Sequence, residues 1–280
     1  MKISIKISGH LLLCHGYDML RMRHLNLLVL LLLYTYAGAQ SWSLVADKKA
    51  ALDELNTARK MAGLNPVSLS DTLSDWCTAH ARYLALNKGR EETAGLKAHE
   101  EPEGLEGYSR NGREAGSKAV IHYIKPSAAV SGWIATFYHR VPLLQPNLTE
   151  IGIGYYEEKG YEVTLLYCIP KNMLTSKAEP VVYPGDKQQN VPLVMGWEYP
   201  YPKTEPKEKK DPGFPITVSF NLQQAITKAS FELRDAGNTI IPCYISSSKK
   251  PATNFSQWNT ICGIPKSPLQ RDHTYTVSVK

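Results

Sequence analysis

The sequence predicts an α+β domain followed by a small all-β domain, and three observations carry that prediction. Apolar residues recur at helical spacing from about residue 47 and change to strand-like alternation near residue 150. A proline-rich stretch over 171–213 then divides the chain. Beyond it lie only short strand-like runs separated by turn signals. Helices first and strands afterwards imply helices packed on a small antiparallel sheet, with a second unit built from strands alone.

In order along the chain, residues 1–39 read as a cleavable signal peptide. Arg21, Arg23 and His24 precede the apolar run Leu25–Leu33, and Ala37-Gly38-Ala39 supplies a small-residue cleavage site. That run falls well short of the ~20 residues a membrane span needs, and no later segment is long and apolar enough to span. An uncleaved membrane anchor is the alternative. Initiation at Met19 or Met22 would give the leader a typical length. The leader holds +3 of the formal net charge of +6, which leaves +3 on the mature chain. That is too little, and too scattered, to argue for nucleic acid or an anionic membrane.

Within residues 40–170, Leu52, Leu55, Ala58 and Ala62 place a helix over 47–62, ended by Gly63 and the turn at Asn65-Pro66. Ser70 or Asp71 caps a second helix with Leu73, Trp76, Cys77, His80 and Leu84 on its stripe, ending near Gly89. Residues 89–112 form a long polar loop around His99, a length that marks function or disorder in a compact domain. A short helix is expected from about Glu114 to Ile124, stopped by Pro126. Another starts at Ser127, with Val130, Trp133, Ile134 and Phe137 on one face. Residues 151–156 and 161–169 then read as an antiparallel hairpin around a four-residue turn, Glu157-Glu158-Lys159-Gly160.

The 171–213 stretch, with seven prolines and the charged run Lys207–Asp211, reads as an extended, semi-rigid connector. Residues 214–280 are expected to hold strands at Ile216–Asn221, Ala229–Arg234, Ile240–Ser246 and Tyr275–Val279 in a small Ig-like β-sandwich, with a turn at Asp235-Ala236-Gly237-Asn238. Cys14 falls in the leader, and the other four cysteines allow three connectivities. In an exported chain one bridge per domain is expected, Cys77–Cys168 and Cys243–Cys262, each contributing roughly 2–4 kcal/mol. Buried free thiols are the alternative.

Several strings carry a resemblance. Leu55-Asn56-x-x-Arg59 precedes Ala62-Gly63-Leu64 with Pro66-Val67, and Ala79-His80-Ala81-x-x-Leu84 follows. Next come Trp133-Ile134-Ala135-Thr136-Phe137-Tyr138-His139-Arg140 and Ile151-Gly152-Ile153-Gly154. Their order and spacing resemble the CAP domain, the secreted family of cysteine-rich secretory proteins, venom antigens and pathogenesis-related proteins, in its bacterial branch. The resemblance covers about residues 47–169. It implies a CAP-type sandwich of helices and antiparallel sheet, with a cleft that holds His99, His139 and, in most members, two glutamates. Glu114 sits roughly where the first glutamate would be, and Glu106 competes with it. No second one is identified, because the helix before Trp133 reads Ser127-Ala128-Ala129-Val130-Ser131-Gly132. The segment from Asn259 to Leu269 is similar to β-domains appended to bacterial CAP proteins.

Neutral imidazole ligates zinc and other borderline divalent metals. His99, His139 and Glu114 are therefore the candidate ligands for zinc or another divalent ion, with one position left open for water. The alternative is a metal-free cleft of hydrogen-bonding imidazoles, with His139 held by Arg140 or a nearby carboxylate. Neither His-Glu-x-x-His nor Gly-x-Ser-x-Gly is present. His80, on an apolar stripe, reads as a satisfied core histidine, and Trp133 and Phe137 also read as core. His122 and His273 read as surface residues. Glu100, Glu101, Glu103 and Glu106 read as a solvated loop face able to add a carboxylate. Asn147-Leu148-Thr149 and Asn254-Phe255-Ser256 fit the glycosylation pattern.

Three functions are compatible with these residues. The favoured one, because the carboxylate set is incomplete, is a non-enzymatic binding module, secreted or in the cell envelope or periplasm. It would hold a small ligand, a lipid or peptide, with or without a metal, while the β-domain recognises an envelope surface. The others are a metal-assisted peptidase with Glu114 as base, and a structural envelope protein.

Overall fold

The computed structural model describes residues 2–6, 43–172, 179–202, 211–220, 226 and 230–280. The expected leader, Cys14 included, lies outside them apart from residues 2–6. So do residues 203–210 of the connector, and the ends at Asn221 and Ala229 of two expected strands. Among the described residues no helix is long and apolar enough to cross a membrane.

Residues 2–6 form β1 (Lys2–Lys6). The first helix, α1 (Leu44–Met61), starts where Ser43 accepts a hydrogen bond from the Ala46 amide, and it ends before Gly63 in the left-handed region, φ +73°. Its Ala51, Leu55 and Ala58 are buried, and so is Arg59. The Arg59 guanidinium donates to the carbonyls of Asn65, Leu143, Gln145 and Leu148. It therefore pins the end of α1 to the loop that leads into the sheet. β2 (Ser68–Leu69) is followed by α2 (Asp71–Leu86), whose cap is Ser70.

After α2 the chain makes short 3-10 turns at Glu91–Thr93 and Gly95–His99, then α3 (Arg110–Gly116), capped by Ser109. The helix expected to run on to Ile124 is absent there. Ala119–His122 is instead β3, paired antiparallel with residues 164–167. Pro126 begins a helix rather than ending one, because its missing amide costs nothing in the first turn of α4 (Pro126–Ile134). The short α5 (Arg140–Leu143) and the hairpin β4 (Glu150–Glu158) and β5 (Tyr161–Tyr167) complete this part. The hairpin turn has two residues, not four. Lys159 and Gly160 take φ of 49° and 77°, a pair of positive values that matches the strand twist and lets pairing run through Glu157 and Glu158.

The sheet order is β2-β4-β5-β3, and Ile151-Gly152-Ile153-Gly154 explains how it is covered. Ile151 and Ile153 join Leu166 and Cys168 on one face, against Ala51 and Leu55 of α1 and Val130 and Trp133 of α4. Gly152 and Gly154 turn to the other face, where a Cβ would stand 2.3 Å from Leu73 and 2.2 Å from Cys77 backbone carbons. Only glycine lets α2 lie this close to the strand. Val163 and Leu165 complete that face with Cys77, Ala81 and Leu84. Each fully buried aliphatic side chain here contributes roughly 1.5–3 kcal/mol.

The C-terminal unit is all-β. It comprises β6 (Val181–Tyr183), β7 (Ile216–Ser219), β8 (Phe231–Asp235), β9 (Ile240–Ile241), β10 (Cys243–Ser246), β11 (Thr260–Pro265) and β12 (Thr274–Val279). They form two four-stranded antiparallel sheets of order β1-β12-β8-β9 and β10-β11-β7-β6. The expected strand over 240–246 is broken at Pro242, which has no amide for a ladder. β9 stays on β8, while β10 crosses to the other sheet to pair with β11. Phe231, Leu233, Val277, Ile216 and Ile261 belong to the same buried cluster as α1 and α4, so one core runs through both parts of the chain.

All four described cysteines are free thiols, and the expected bridges Cys77–Cys168 and Cys243–Cys262 do not form. Cys77 lies on the α2 face of the sheet and Cys168 on the opposite face, with the sheet between them. Cys243 stands opposite Pro265, and Cys262 stands opposite Ser246. That three-residue offset, at about 3.4 Å per residue, exceeds the ~7 Å Cα limit for a bridge. Burial pushes the Cys77 and Cys243 thiols up to about 12, and raises Cys168 and Cys262 as well.

Candidate functional site

His99 ends the 3-10 turn Gly95–His99, which a buried pair beneath it fastens in place. His80 and Glu101 have no exposed side-chain surface, and His80 Nδ1 stands 2.6 Å from Glu101 Oε2. His80 Nε2 donates to Ala98 O at 2.8 Å, and Glu101 Oε1 accepts from the Ser109 amide at 2.6 Å. His80 is thus a satisfied core histidine, as expected. Glu101 is not part of a solvated face; it clamps the loop carrying His99. On that base His99 Nδ1 lies 3.0 Å from Gly116 O, at the end of α3. A carbonyl only accepts, so this nitrogen carries the proton. Burial first, and then the neighbouring imidazoles of His139 and His80, holds His99 below the ordinary histidine range. Neutral His99 therefore keeps the lone pair on Nε2.

His139 lies between α4 and α5. Its Nδ1 faces Glu198 Oε2 at 3.3 Å and Thr136 Oγ1 at 3.4 Å. Glu198 belongs to the proline-rich stretch read as a connector. Its carboxylate has no exposed surface and accepts from the amides of Phe137 at 2.9 Å and Tyr138 at 2.8 Å, and more distantly from His139 at 3.4 Å. Beside it Arg140, fully buried, donates to Ile134 O and Pro215 O and lies over the rings of Tyr183 and Phe214. Burial lowers this guanidinium to about 10.

Two adjoining hollows, of about 330 and 420 Å³, share Leu96, His99, His139 and Tyr199 in their walls. The first extends to Pro142, Ile169, Phe255 and Trp258, and the second to Trp133, His122, Trp197 and Glu198. Trp133 and Phe137 are core, as expected. His122 is not a free surface residue. It lines the second hollow, its ring edge-on to Trp133, and its Nδ1 accepts from the Tyr123 amide. His273 is exposed and lines neither hollow. A larger hollow of about 810 Å³ on the face of β8 and β12 carries no imidazole or thiol, and its Glu232 and Arg234 are paired with each other.

Of the three expected metal ligands, the fold brings His99 and His139 together and leaves Glu114 apart. Glu114 is exposed and bound to Lys118 at 2.5 Å, in a separate polar hollow that shares only His99 and Ser117 with the first hollow and only His99 with the second. Glu106 is exposed and offers its carbonyl, not its carboxylate, to Asn87. Glu198 stands on the Nδ1 side of His139, away from a ligand at Nε2. Among the described residues no three His, Cys, Asp or Glu side chains converge on a metal position. Two imidazoles are present, and a carboxylate aligned with them is not. The sequence reading missed Glu198, and the signal that could have found it is Gly196-Trp197-Glu198-Tyr199, an aromatic island in an otherwise polar, proline-rich stretch.

Residues 52–169 match the model of the cysteine-rich secretory protein family, CAP. The uncharacterized protein YkwD of Bacillus subtilis (strain 168) is 25% identical over 121 residues, 41% of this chain. That match spans 44% of the relative's own length. Among solved structures, an extracellular protein containing a SCP domain from Bacillus anthracis str. Ames is 18% identical, covering 44% of this chain and 40% of that one, with a TM-score of 0.35. An outer surface protein from Borrelia burgdorferi is 19% identical, covering 46% of this chain and 97% of that one, with a TM-score of 0.36. The matched family segment contains His99 and His139 but ends before Glu198. Residues 52–169 of this chain are a CAP domain of the cysteine-rich secretory protein family.

Proposed function

We propose that the protein is a secreted or cell-envelope binding module whose cleft takes a small organic ligand without turning it over. One observation supports this above others. His99 and His139 line one apolar-walled cleft, His99 Nδ1 bonded to Gly116 O and His139 Nδ1 beside Thr136 Oγ1 and Glu198, and among the described residues no carboxylate in that cleft is free to act as a base. Two Nε2 lone pairs beside Leu96, Tyr199 and Trp258 suit a ligand with a hydrogen-bond-donating end and an apolar body, such as a lipid amide or a peptide. The leader-like start of the chain and the family's secretory character favour export. The C-terminal sheets, read as an Ig-like sandwich, would present the cleft at an envelope surface.

Calorimetric titration with decanamide and with N-acetylphenylalaninamide tests this, with products followed by mass spectrometry. Saturable binding without product, lost in a His99→Ala/His139→Ala double variant, is the expected result. Product formation would replace the binding module with a hydrolase. Micromolar zinc binding lost in the same double variant would make the cleft a divalent-metal site. Neither binding nor turnover, with the double variant unchanged in stability and partners, would leave a structural envelope protein.

A further inference from the structure

We infer that the C-terminal region is a working part of the cleft, with Glu198 as the positioning residue that fixes the His139 proton on Nδ1 and presents Nε2 as an acceptor. Four observations carry this. A carboxylate with no exposed surface needs compensation, and Glu198 finds it in the amides of Phe137 and Tyr138, the residues that immediately precede His139. The oxygen that accepts from Tyr138 is the one that faces His139 Nδ1. Thr136 Oγ1, the other atom near that nitrogen, has its own proton committed to Trp133 O at 2.7 Å. Both neighbours of Nδ1 therefore accept, and the tautomer follows.

The fourth observation is that the segment carrying Glu198 is seated on both sides. The Gly196 amide donates to Ala135 O at 2.9 Å, and a Cβ on Gly196 would meet Thr136 Cγ2 at 3.1 Å and Gly132 O at 3.3 Å. Met195 packs with Phe137 and Tyr138 from the CAP domain and with Cys262 and Ile264 from β11. Trp197 and Tyr199, 77% and 53% exposed on either side of the buried glutamate, flank the cleft, and the Tyr199 ring lies against Gly95 in the turn that carries His99. One segment from outside residues 52–169 thus touches the supports of both histidines. The meaning of the acceptor pair rests on the proposed binding function, but the tautomer does not.

Long-range proton–nitrogen NMR of the histidine rings, on the ligand-free full chain at pH 8, tests the inference. The expected wild-type spectrum shows His139 and His99 both protonated on Nδ1. Glu198→Gln places an amide group where an acceptor stood, so the His139 proton is expected to move to Nε2 while His99 stays unchanged. Glu198→Asp, which restores the charge, is expected to return it. His139 protonated on Nε2 in the wild type overturns the inference, as does an unmoved tautomer in a Glu198→Gln protein of native circular dichroism. If Glu198→Gln does not fold, Thr136→Val decides. Retention of the Nδ1 proton there is expected if Glu198 sets it, and its loss overturns that assignment. Failure of either amide probe to bind the wild type would defeat the proposed function and leave these spectra standing.

Discussion

The two histidines of the cleft are held in opposite ways. His99 leans on Gly116, 17 residues away, and its turn is clamped from below by His80 and Glu101, all within the CAP domain. His139 depends on Glu198, 59 residues downstream and outside that domain. Half of the site is therefore built by the segment that matches the family model, and half by the region that follows it. Disturbing the local clamp should unsettle the domain as a whole. Disturbing the distant support should unsettle one histidine and spare the other.

The largest effect should come from the clamp. Glu101→Gln removes the charge partner of His80 in a fully buried pair, an event that typically costs about 3–5 kcal/mol. Urea unfolding measures it, and a loss well below about 1 kcal/mol would show that the pair is not the clamp described. Glu198→Gln should cost less, about 2 kcal/mol, from leaving amide donors imperfectly paired. Hydrogen exchange separates the two variants. In Glu198→Gln the amides of Phe137 and Tyr138 should lose protection, while Ser109 and Gly112, near the His99 support, keep theirs. Uniform loss of protection would erase the distinction between the two halves.

The same contrast explains what could be read from the sequence. The helices at 44–61 and 71–86 and the hairpin follow from periodicity and turn signals, because their determinants lie within a turn or two of one another, whereas the two cleft histidines came from the resemblance. The β3 strand did not follow. Ala119–His122 is made a strand by the open edge of β5, which no local propensity reports. Glu198 escaped for the same reason, since its role is defined by amides 60 residues earlier in the chain. Proline content pointed to a connector, yet Val181–Tyr183 pairs with β7 and Met195 is buried against the CAP domain. Glu114 was placed by spacing on a resemblance, and its helix turns it outward to Lys118.

Acid should act on the fold through the cleft. His99 and His122 are both held below the ordinary value of 6.5, first by burial and then by neighbouring imidazole charge. Protons then bind the unfolded chain more readily than the folded one, so stability is full above about 6.5 and falls as pH drops through the lower folded values. The urea midpoint should therefore decline between pH 7.5 and pH 5.5. His99→Gln should flatten that decline, and the exposed His273→Gln should leave it as it was. A decline that persists undiminished in His99→Gln would place the sensitive group elsewhere.

The smallest expected effect is none. Losing a native disulfide typically costs about 2–5 kcal/mol, and a chain of this kind invites that expectation. Here dithiothreitol should leave the urea midpoint unchanged, because the four described cysteines are free thiols and neither half of the site, among the described residues, is held by a bridge. Iodoacetamide should label Cys77, Cys168, Cys243 and Cys262 together after unfolding and scarcely at all before it, since burial keeps each thiol protonated. A Cys77–Cys168 bridge would require the sheet between α2 and α4 to open. A Cys243–Cys262 bridge would require β10 to slip along β11, and Cys262 packs with Met195 beside Glu198. Such a slip would disturb the support of His139 and leave that of His99 intact, so a reductant-sensitive His139 beside an insensitive His99 is the one result that would rewrite the C-terminal half without touching the other.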